Sequence, residues 1–329
     1  MMDGGTVTGR SALPRDVGVL LMDMGGPAST ADIEPFLRAL LGDPRILRMP
    51  FGFLLRPLLS RRIARARAPK VAPRYEAIGG GSPLLGGHRR IAGALEERLG
   101  IPVHVAMRYT APRLPEAVED LRRRGVARVV VIPLYPQFST STTASAMDDL
   151  ARNIPREIAT VVVERHGGHP AYLEVMVDLL ASSRAAAPTD AHVLFTAHSI
   201  PESFTRRGDP YVSEITATVQ GIADRTGLTA TNHSLAWQSV GPVGRWHGPS
   251  WEAALVRLHG EGVRALVVQP LSFVSENLET LWDLDIEMRR RCDTLGLTMR
   301  RVPAPGREPG YVTLLAELTR QAAAQEGWS

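Results

Sequence analysis

Short apolar runs alternate with amphipathic stretches along most of the chain. The runs are mostly continuous in Val, Leu and Ile, which is typical of strands buried on both faces of a parallel sheet. They predict strands at residues 17–22, 103–108, 128–133, 160–164, 192–197, 230–237, 264–270 and 298–302. The stretches between them predict helices at residues 31–41, 89–99, 114–124, 171–180, 212–226, 251–258, 278–290 and 311–324. This alternation indicates an α/β protein built from doubly wound, Rossmann-like units.

The chain also repeats part of its own sequence. Residues 125–134 read GVARVVVIPL, and residues 262–271 read GVRALVVQPL. A second pair opens the two halves, with DVGVLLMDMGGP at residues 16–27 and DAHVLFTAHSIP at residues 190–201. Internal repetition indicates one structural unit built twice. We therefore predict two similar domains, each a parallel sheet flanked by helices, with a cleft between them.

These patterns divide the chain of 329 residues into four segments. Residues 1–15 lack the apolar core of a signal peptide and indicate a disordered leader. Residues 16–165 and 166–308 are the two predicted α/β domains. No strand follows the last predicted helix, so we expect residues 309–329 to pack back on the N-terminal domain.

Composition narrows the range of functions. The net charge of +4, from 38 basic and 34 acidic residues, is too small to indicate nucleic-acid binding by itself. The single Cys292 excludes an intrachain disulfide and any site that needs four cysteines, so we expect no iron–sulfur cluster. No apolar run reaches the length of about 18 residues that indicates a membrane span. We expect a cytoplasmic protein in a reducing compartment.

Polar loops follow the predicted strands, among them DMGGP, MRYTAP, PLYPQFSTSTT, TAHSIP, WQSVGP and SFVSENLE. Ligands of such sheets bind beyond the carboxyl ends of the strands, so these loops should face one cleft. Met24 and His198 occupy equivalent points of the repeat, one on each wall. His198 can exchange protons near neutral pH or bind a metal, although a histidine hydrogen-bonded within its loop is the commoner case.

Acidic residues recur along the predicted helix at residues 278–290. Glu279, Asp283 and Glu287 follow one another at intervals of four, and Glu276 lies three residues earlier. Such spacing places the first three on one helix face, where like charges repel unless protons or cations relieve them. The stripe can conduct protons or attract a divalent cation, or it can be a solvated face. The interleaved Leu and Trp residues favour an enclosed helix.

Two further segments leave alternatives open. Residues 79–83 read GGGSP and lack the lysine of a phosphate-binding loop. Ser82 can bond a carboxylate there or belong to a tight structural turn. Residues 50–67 are apolar and basic without an acidic residue. This composition fits contact with anionic lipid, the rim of a pocket, or a core helix with extended arginines.

Taken together, the loops resemble those of the ferrochelatase family, whose members insert ferrous iron into a porphyrin. The matching segments, in the family's order, are VLLMDMGGP, RAPKVAPRYEAIGGGSPL, AMRYTAP, PLYPQFSTSTTAS, FTAHSIP with GDPY, WQSVGP with a following Trp, and FVSENLETLWDLDIE. They span residues 17–288. The resemblance implies two chelatase-type domains with the porphyrin bound in the cleft between them. It also implies porphyrin and Fe²⁺ as substrates, with no permanently bound cofactor.

The resemblance assigns roles by position. His198 and Glu279 match the pair that binds iron and performs catalysis. The acidic residues expected along a proton or metal path are Asp283, Glu287 and Glu276. The implied porphyrin-binding residues are Met24, Arg67, Ser82, Arg108, Tyr109 and Trp246. Asn277 departs from the family, which often has histidine there, and an amide cannot titrate near neutral pH.

We expect a ferrochelatase that forms protohaem, because Met24 rather than a tyrosine favours protoporphyrin IX over coproporphyrin III. Coproporphyrin III remains an alternative ring, and cobalt insertion into a sirohydrochlorin-like ring is an alternative reaction. A non-catalytic tetrapyrrole-binding protein is an alternative from a different class. Residues 50–67 predict peripheral contact with the inner face of a membrane, and we expect no nucleic-acid partner.

Overall fold

The computed structural model describes residues 13–47, 51–241 and 244–328. Residues 1–12 of the predicted leader lie outside the described residues, as does Pro50 at the start of the apolar and basic segment. The final residue of the chain is also outside them.

Each half of the chain forms a four-stranded parallel sheet. The first sheet has the order β2-β1-β3-β4 and comprises β1 (Val17–Asp23), β2 (Val103–Met107), β3 (Arg128–Pro133) and β4 (Ala159–Val162). The second has the order β6-β5-β7-β8 and comprises β5 (His192–His198), β6 (His233–Gln238), β7 (Ala265–Pro270) and β8 (Thr298–Arg301). Each strand therefore has a counterpart in the other sheet. The predicted α/β architecture, with one unit built twice, is confirmed.

Helices cover both sheets. They are α1 (Ile33–Leu41), α2 (Gly52–Ala77), α3 (Leu84–Leu99), α4 (Leu114–Arg123), α5 (Thr143–Asn153), α6 (Pro170–Ala185), α7 (Glu202–Thr205), α8 (Tyr211–Thr226), α9 (Trp251–Gly260), α10 (Arg289–Leu295) and α11 (Pro309–Gln325). Residues Glu279–Met288 form a π-helix that runs directly into α10, where the sequence predicts one continuous helix. Short 3-10 turns occupy Thr30–Asp32 and Pro305–Arg307. The apolar pattern does not predict α2 or α5.

The largest apolar core joins the two sheets. It contains Val19 of β1, Phe195 of β5, Tyr172 of α6 and Leu315 of α11, all fully buried. The last helix, α11, contacts α3, β3 and β4 of the first half. It also contacts α6, which lies between β4 and β5 along the chain. Removing this apolar surface from water stabilises the contact between the halves. The domain boundaries near residues 165 and 308 stay predictions.

The N-terminal end of α2 presents apolar side chains to solvent. The exposed residues are Phe51, Phe53, Leu54, Leu55 and Leu58, each more than half accessible. Further along the same helix, Ala64 and Tyr75 are buried in a cluster with Ile33 and Phe36 of the first half. Within the part of the chain that the structure describes, no helix is both long and apolar enough to cross a bilayer.

Two buried histidines should make the fold sensitive to acid. Burial lowers the pKa of His166 from its ordinary 6.5 to about 3 and that of His192 to about 4. In the unfolded chain both take up protons near their ordinary pKa, so falling pH favours unfolding. At pH 5, protonation of each unfolded histidine should lower the free energy of unfolding by about 2 kcal/mol relative to pH 8.

Denaturant titrations between pH 8 and pH 5 measure this effect. His166→Gln cannot protonate, so it should flatten the dependence of unfolding free energy on pH even if it is less stable at pH 8. An identical slope in the wild type and His166→Gln would contradict the prediction.

Candidate active site

His198 and Glu279 meet at the carboxyl end of the second sheet. His198 is the last residue of β5, and Glu279 is the first residue of the π-helix. Their side chains are hydrogen-bonded, with 2.8 Å between His198 Nδ1 and Glu279 Oε2. Because 39% of the His198 side chain and 28% of the Glu279 side chain are exposed, a substrate can reach both. The pair offers two donor atoms to a metal ion. No cluster of three or more His, Cys, Asp or Glu groups suited to a metal occurs among the described residues.

The charge of Glu279 governs the protonation of His198. Burial alone would lower the pKa of the imidazole, but the attraction and hydrogen bond from Glu279, with a further contribution from Asp283, raise that pKa above its ordinary value. The backbone N–H of His198 donates to Ser272 Oγ at 3.2 Å and fixes the end of β5. Because Nδ1 faces a carboxylate, the neutral imidazole keeps its proton on Nδ1 and presents the lone pair of Nε2.

Asp283 extends the site along the π-helix. Burial, together with the charges of Glu279 and Glu287, raises the pKa of Asp283 to about 7. Ser239 donates a hydrogen bond to Asp283 Oδ2 at 3.2 Å, and Arg74 of α2 approaches Oδ1 at 3.9 Å. A carboxyl that titrates near neutrality between two acidic neighbours can pass protons along the helix. The structure therefore brings together Glu279, Asp283 and Glu287, the three residues predicted to share one helix face.

Glu276 lies outside this stripe. Its carboxylate accepts hydrogen bonds from Arg301 at 3.0 Å, Thr280 Oγ1 at 2.7 Å and the backbone N–H of Ala304 at 3.1 Å. Burial opposes its ionisation, but the charge of Arg301 and these hydrogen bonds lower the pKa of Glu276. The residue braces the start of the π-helix against the segment around β8. The structure does not bring Glu276 into the proton or metal path that the sequence predicts for it.

Asn277 caps the helical segment that begins at Leu278 and continues as the π-helix. Its Oδ1 accepts hydrogen bonds from the backbone N–H groups of Glu279 at 2.8 Å and Thr280 at 3.3 Å, while its Nδ2 donates to the carbonyl of Ser275 at 3.1 Å. N–H groups in the first turn of a helix have no partner within the helix, so the amide supplies one. Asn277 thereby fixes the backbone that bears Glu279. An asparagine just before an apolar helix is a capping signal that the sequence itself contains.

Met24 and the residue before Glu279 pack on one apolar cluster. Met24 follows β1 and packs on the cluster, which contains Tyr75 of α2 and Tyr109. Leu278, the residue before Glu279, packs on the same cluster. Burial raises the pKa of Tyr75, and the charge of Glu279 adds to the shift. The loop after β1 and the segment that leads into the π-helix therefore contact the same cluster, although they belong to different halves.

Arg108 and Tyr109 are both bound to a buried carboxylate. Arg108 donates a hydrogen bond to Asp43 Oδ2 at 3.0 Å, and the Tyr109 hydroxyl donates to the same oxygen at 2.8 Å. Arg108 also lies 3.5 Å from the carboxylate of Asp149, and its Nε donates a hydrogen bond to Ser145 Oγ at 3.1 Å. Burial and the charge of Asp43 raise the pKa of Tyr109, so its hydroxyl stays protonated. This network gives both residues an internal role, and their contact with a porphyrin stays a prediction.

The other predicted porphyrin-binding residues lie on separate elements. The backbone N–H of Ser82 donates to the carbonyl of Pro27 at 2.8 Å, beside the loop after β1. Trp246 pairs with the segment that follows β5, and its ring covers Gly241 so closely that a side chain there would clash. Arg67 is exposed on α2. Ser82 and Trp246 therefore border the two loops that bear Met24 and His198.

Known proteins resemble this chain along nearly its whole length. The model of the family described as Ferrochelatase matches residues 16–323. A ferrochelatase from a Synechococcus species is 42% identical over 322 residues, which cover 92% of each chain. The ferrochelatase of Geotalea uraniireducens is 38% identical, over 95% of this chain and 100% of the relative. Among solved structures, SirB from Bacillus subtilis with Fe³⁺ has a TM-score of 0.58 at 12% identity, covering 95% of this chain and 98% of SirB. That likeness shows the fold alone.

The cap of the π-helix yields a stability prediction. Asn277→Ala should lower the free energy of unfolding by about 1 kcal/mol, because two backbone N–H groups lose their acceptor. Asn277→Ser keeps a capping oxygen and should lose less. Denaturant unfolding measures both variants, and an alanine variant as stable as the wild type would contradict the assigned cap.

Proposed function

The chain belongs to the ferrochelatase family, and we propose that it inserts Fe²⁺ into protoporphyrin IX, with His198 and Glu279 acting at the centre of the ring. As a ferrochelatase it is a metal-inserting lyase of haem biosynthesis. The observation that supports the assignment of the two residues is their 2.8 Å hydrogen bond in a site that solvent reaches.

Proton removal is the first requirement of the reaction. Insertion exchanges two pyrrole protons for one divalent cation, so a base must stand over the centre of the ring. Glu279 accepts the Nδ1–H of His198, which orients the Nε2 lone pair for a pyrrole proton. The imidazolium that forms is then stabilised by the same carboxylate. Because the pKa of Asp283 is about 7, this side chain can take the proton onward without a large energetic step.

Metal delivery uses the same pair. Imidazole nitrogen and carboxylate oxygen are both suitable ligands for Fe²⁺. Two protein donors leave coordination positions for the pyrrole nitrogens, so the ion can pass from the protein to the ring. We propose that no iron–sulfur cluster takes part, because a cluster needs several thiolates and the chain has one cysteine, the buried Cys292.

The choice of ring follows from charge near the site. Coproporphyrin III has four carboxylates, whereas protoporphyrin IX has two and correspondingly more apolar edge. Arg108, one of the two arginines predicted to line the pocket, is neutralised by Asp43 and Asp149. Arg67, the other of these two arginines, is exposed. Limited positive charge and the apolar Met24 both favour the ring with two carboxylates.

Anaerobic assays with Fe²⁺ and each porphyrin measure this function. The wild type should form protohaem with a higher kcat/KM than coprohaem. His198→Ala and Glu279→Gln should each lower kcat by about a hundredfold or more, because each removes a group that acts on the transferred proton or metal. Near-native circular dichroism would show that these variants still fold.

Each outcome of this assay distinguishes one alternative. His259→Gln, on α9 and away from the site, is the matched control and should keep wild-type kcat. Tight porphyrin binding without metallation would indicate a carrier and overturn the enzyme assignment. A higher kcat/KM for coproporphyrin III would overturn the choice of ring alone.

We also propose that the exposed end of α2 rests on a membrane containing anionic lipid. The support is the group of exposed apolar residues from Phe51 to Leu58, followed on the same helix by the exposed Arg61, Arg62 and Arg65. Apolar side chains gain about 1.5–3 kcal/mol when fully buried, and each basic residue near an anionic surface adds about 1 kcal/mol. Such contact would bring the site near apolar porphyrins dissolved in the bilayer.

Co-sedimentation with vesicles tests the membrane proposal. The wild type should bind vesicles of phosphatidylcholine and phosphatidylserine and should be released by salt. The double variant Phe53→Ser/Leu58→Ser should bind at least about tenfold more weakly, because it removes two apolar contacts. Val256→Ser removes an exposed apolar residue on α9 and should bind like the wild type. Equal binding by the double variant and the wild type would overturn the proposal.

A further inference from the structure

We propose that Asp23, His88 and Ser275 form a buried polar strut that positions Met24 relative to Glu279. The strut is a chain of hydrogen bonds that crosses from the first half of the molecule to the second. It makes His88 a positioning residue for metal insertion, and in that respect it rests on the proposed function.

The strut begins beside Met24. Asp23 is the last residue of β1, and its Oδ1 accepts the backbone N–H of Met24 at 2.5 Å. Its other oxygen, Oδ2, lies 2.5 Å from Nε2 of His88 on α3. His88 is completely buried, and Asp23 is 6% exposed. The position of the Met24 backbone is thereby tied to a side chain deep in the first half.

The strut then crosses to the second half. The other ring nitrogen of His88, Nδ1, lies 3.1 Å from Oγ of Ser275, which is in the loop between β7 and the π-helix. The carbonyl of Ser275 accepts the side-chain amide of Asn277 at 3.1 Å, and the Asn277 oxygen holds the backbone N–H of Glu279 at 2.8 Å. A continuous path of hydrogen bonds therefore runs from the Met24 backbone to the Glu279 backbone.

Close packing leaves the strut little room to move. Ser275 is buried, and two glycines flank its hydroxyl. A Cβ at Gly87 would lie 2.9 Å from Ser275 Oγ, and one at Gly306 would lie 3.1 Å from it, so both positions need the small residue. Buried polar groups are costly to leave unbonded, which holds the three side chains in this arrangement.

This geometry matters because insertion needs groups placed against a rigid ring. A displacement of about 1 Å in a catalytic arrangement can lower the rate by about a hundredfold. The strut bonds to the backbone N–H groups of Met24 and Glu279 and leaves their side chains free for the substrate. It therefore sets the separation of the two residues without touching the substrate. Its loss should therefore act on the rate of insertion more than on porphyrin binding.

The test compares two buried histidines that each bond a serine. His88→Ala removes the middle of the strut. His192→Ala is the matched control, because His192 Nε2 bonds Ser234 Oγ at 2.9 Å at the opposite end of β5 from His198. Assays of both variants give kcat and the porphyrin KM. Resonance Raman spectra of bound metal-free porphyrin report bending of the ring.

We expect His88→Ala to lower kcat by about tenfold or more while the porphyrin KM changes by less than about twofold. Its out-of-plane Raman bands should differ from those of the wild type. His192→Ala should lower the midpoint of thermal unfolding but keep the wild-type kcat and spectrum. Equal kcat and spectra for the wild type and His88→Ala would overturn the strut, as would equal losses in the two variants.

Ser275→Ala and Asp23→Asn keep the strut testable if His88→Ala does not fold. Ser275→Ala removes one hydroxyl and Asp23→Asn exchanges a carboxylate for an amide of the same size, so each changes less than His88→Ala, and each should lower kcat with little change in KM. Because one chain of bonds is involved, the double variant should lose less activity than the product of the single losses. Fully multiplicative losses would overturn the strut. An inactive wild type would overturn the proposed function instead, which separates the two failures.

Discussion

The hydrogen bond between His198 and Glu279 is the interaction on which the site depends. It joins residues 81 positions apart in the chain, one at the end of a strand and one at the start of the π-helix. The backbone of each partner is fixed by a side chain, because the N–H of His198 donates to Ser272 and the N–H of Glu279 donates to the capping Asn277. The pair therefore keeps its geometry before a substrate arrives. Such preorganisation is what placing a base and a metal ligand over one ring requires.

Duplication of the fold explains where this pair lies, but it does not explain what sets the distance between the loops of the two halves. The carboxyl ends of parallel strands converge on one edge of each sheet, which brings the loops after β1 and β5 to equivalent places. The separation of the two loops has to be set by contacts between the halves. The large shared core supplies most of the rigidity, and polar bonds such as that of His88 with Ser275 supply direction. Apolar packing is non-directional, whereas a hydrogen bond fixes both distance and angle.

Much of the fold could be predicted from the sequence because parallel strands buried on both faces need continuous apolar residues, as in β3. His198 and Glu279 could be predicted because site loops follow strand ends and because the motifs resemble a family. The sequence offers a helix at residues 50–67 only as one of three alternatives, because Pro57, Pro69 and Pro73 and the many arginines of α2 obscure the helical period. Spacing also predicts which carboxylates share a helix face without revealing their partners. Arg301, contributed by β8, draws Glu276 away from the stripe.

The most direct test of the central claim is a crystal structure of the protein with a bound metal-free porphyrin. The account predicts that Nε2 of His198 lies within about 3 Å of a pyrrole nitrogen, with Glu279 beside it and Met24 against the opposite face of the ring. A porphyrin bound elsewhere, or one with His198 and Met24 on the same face, would contradict it.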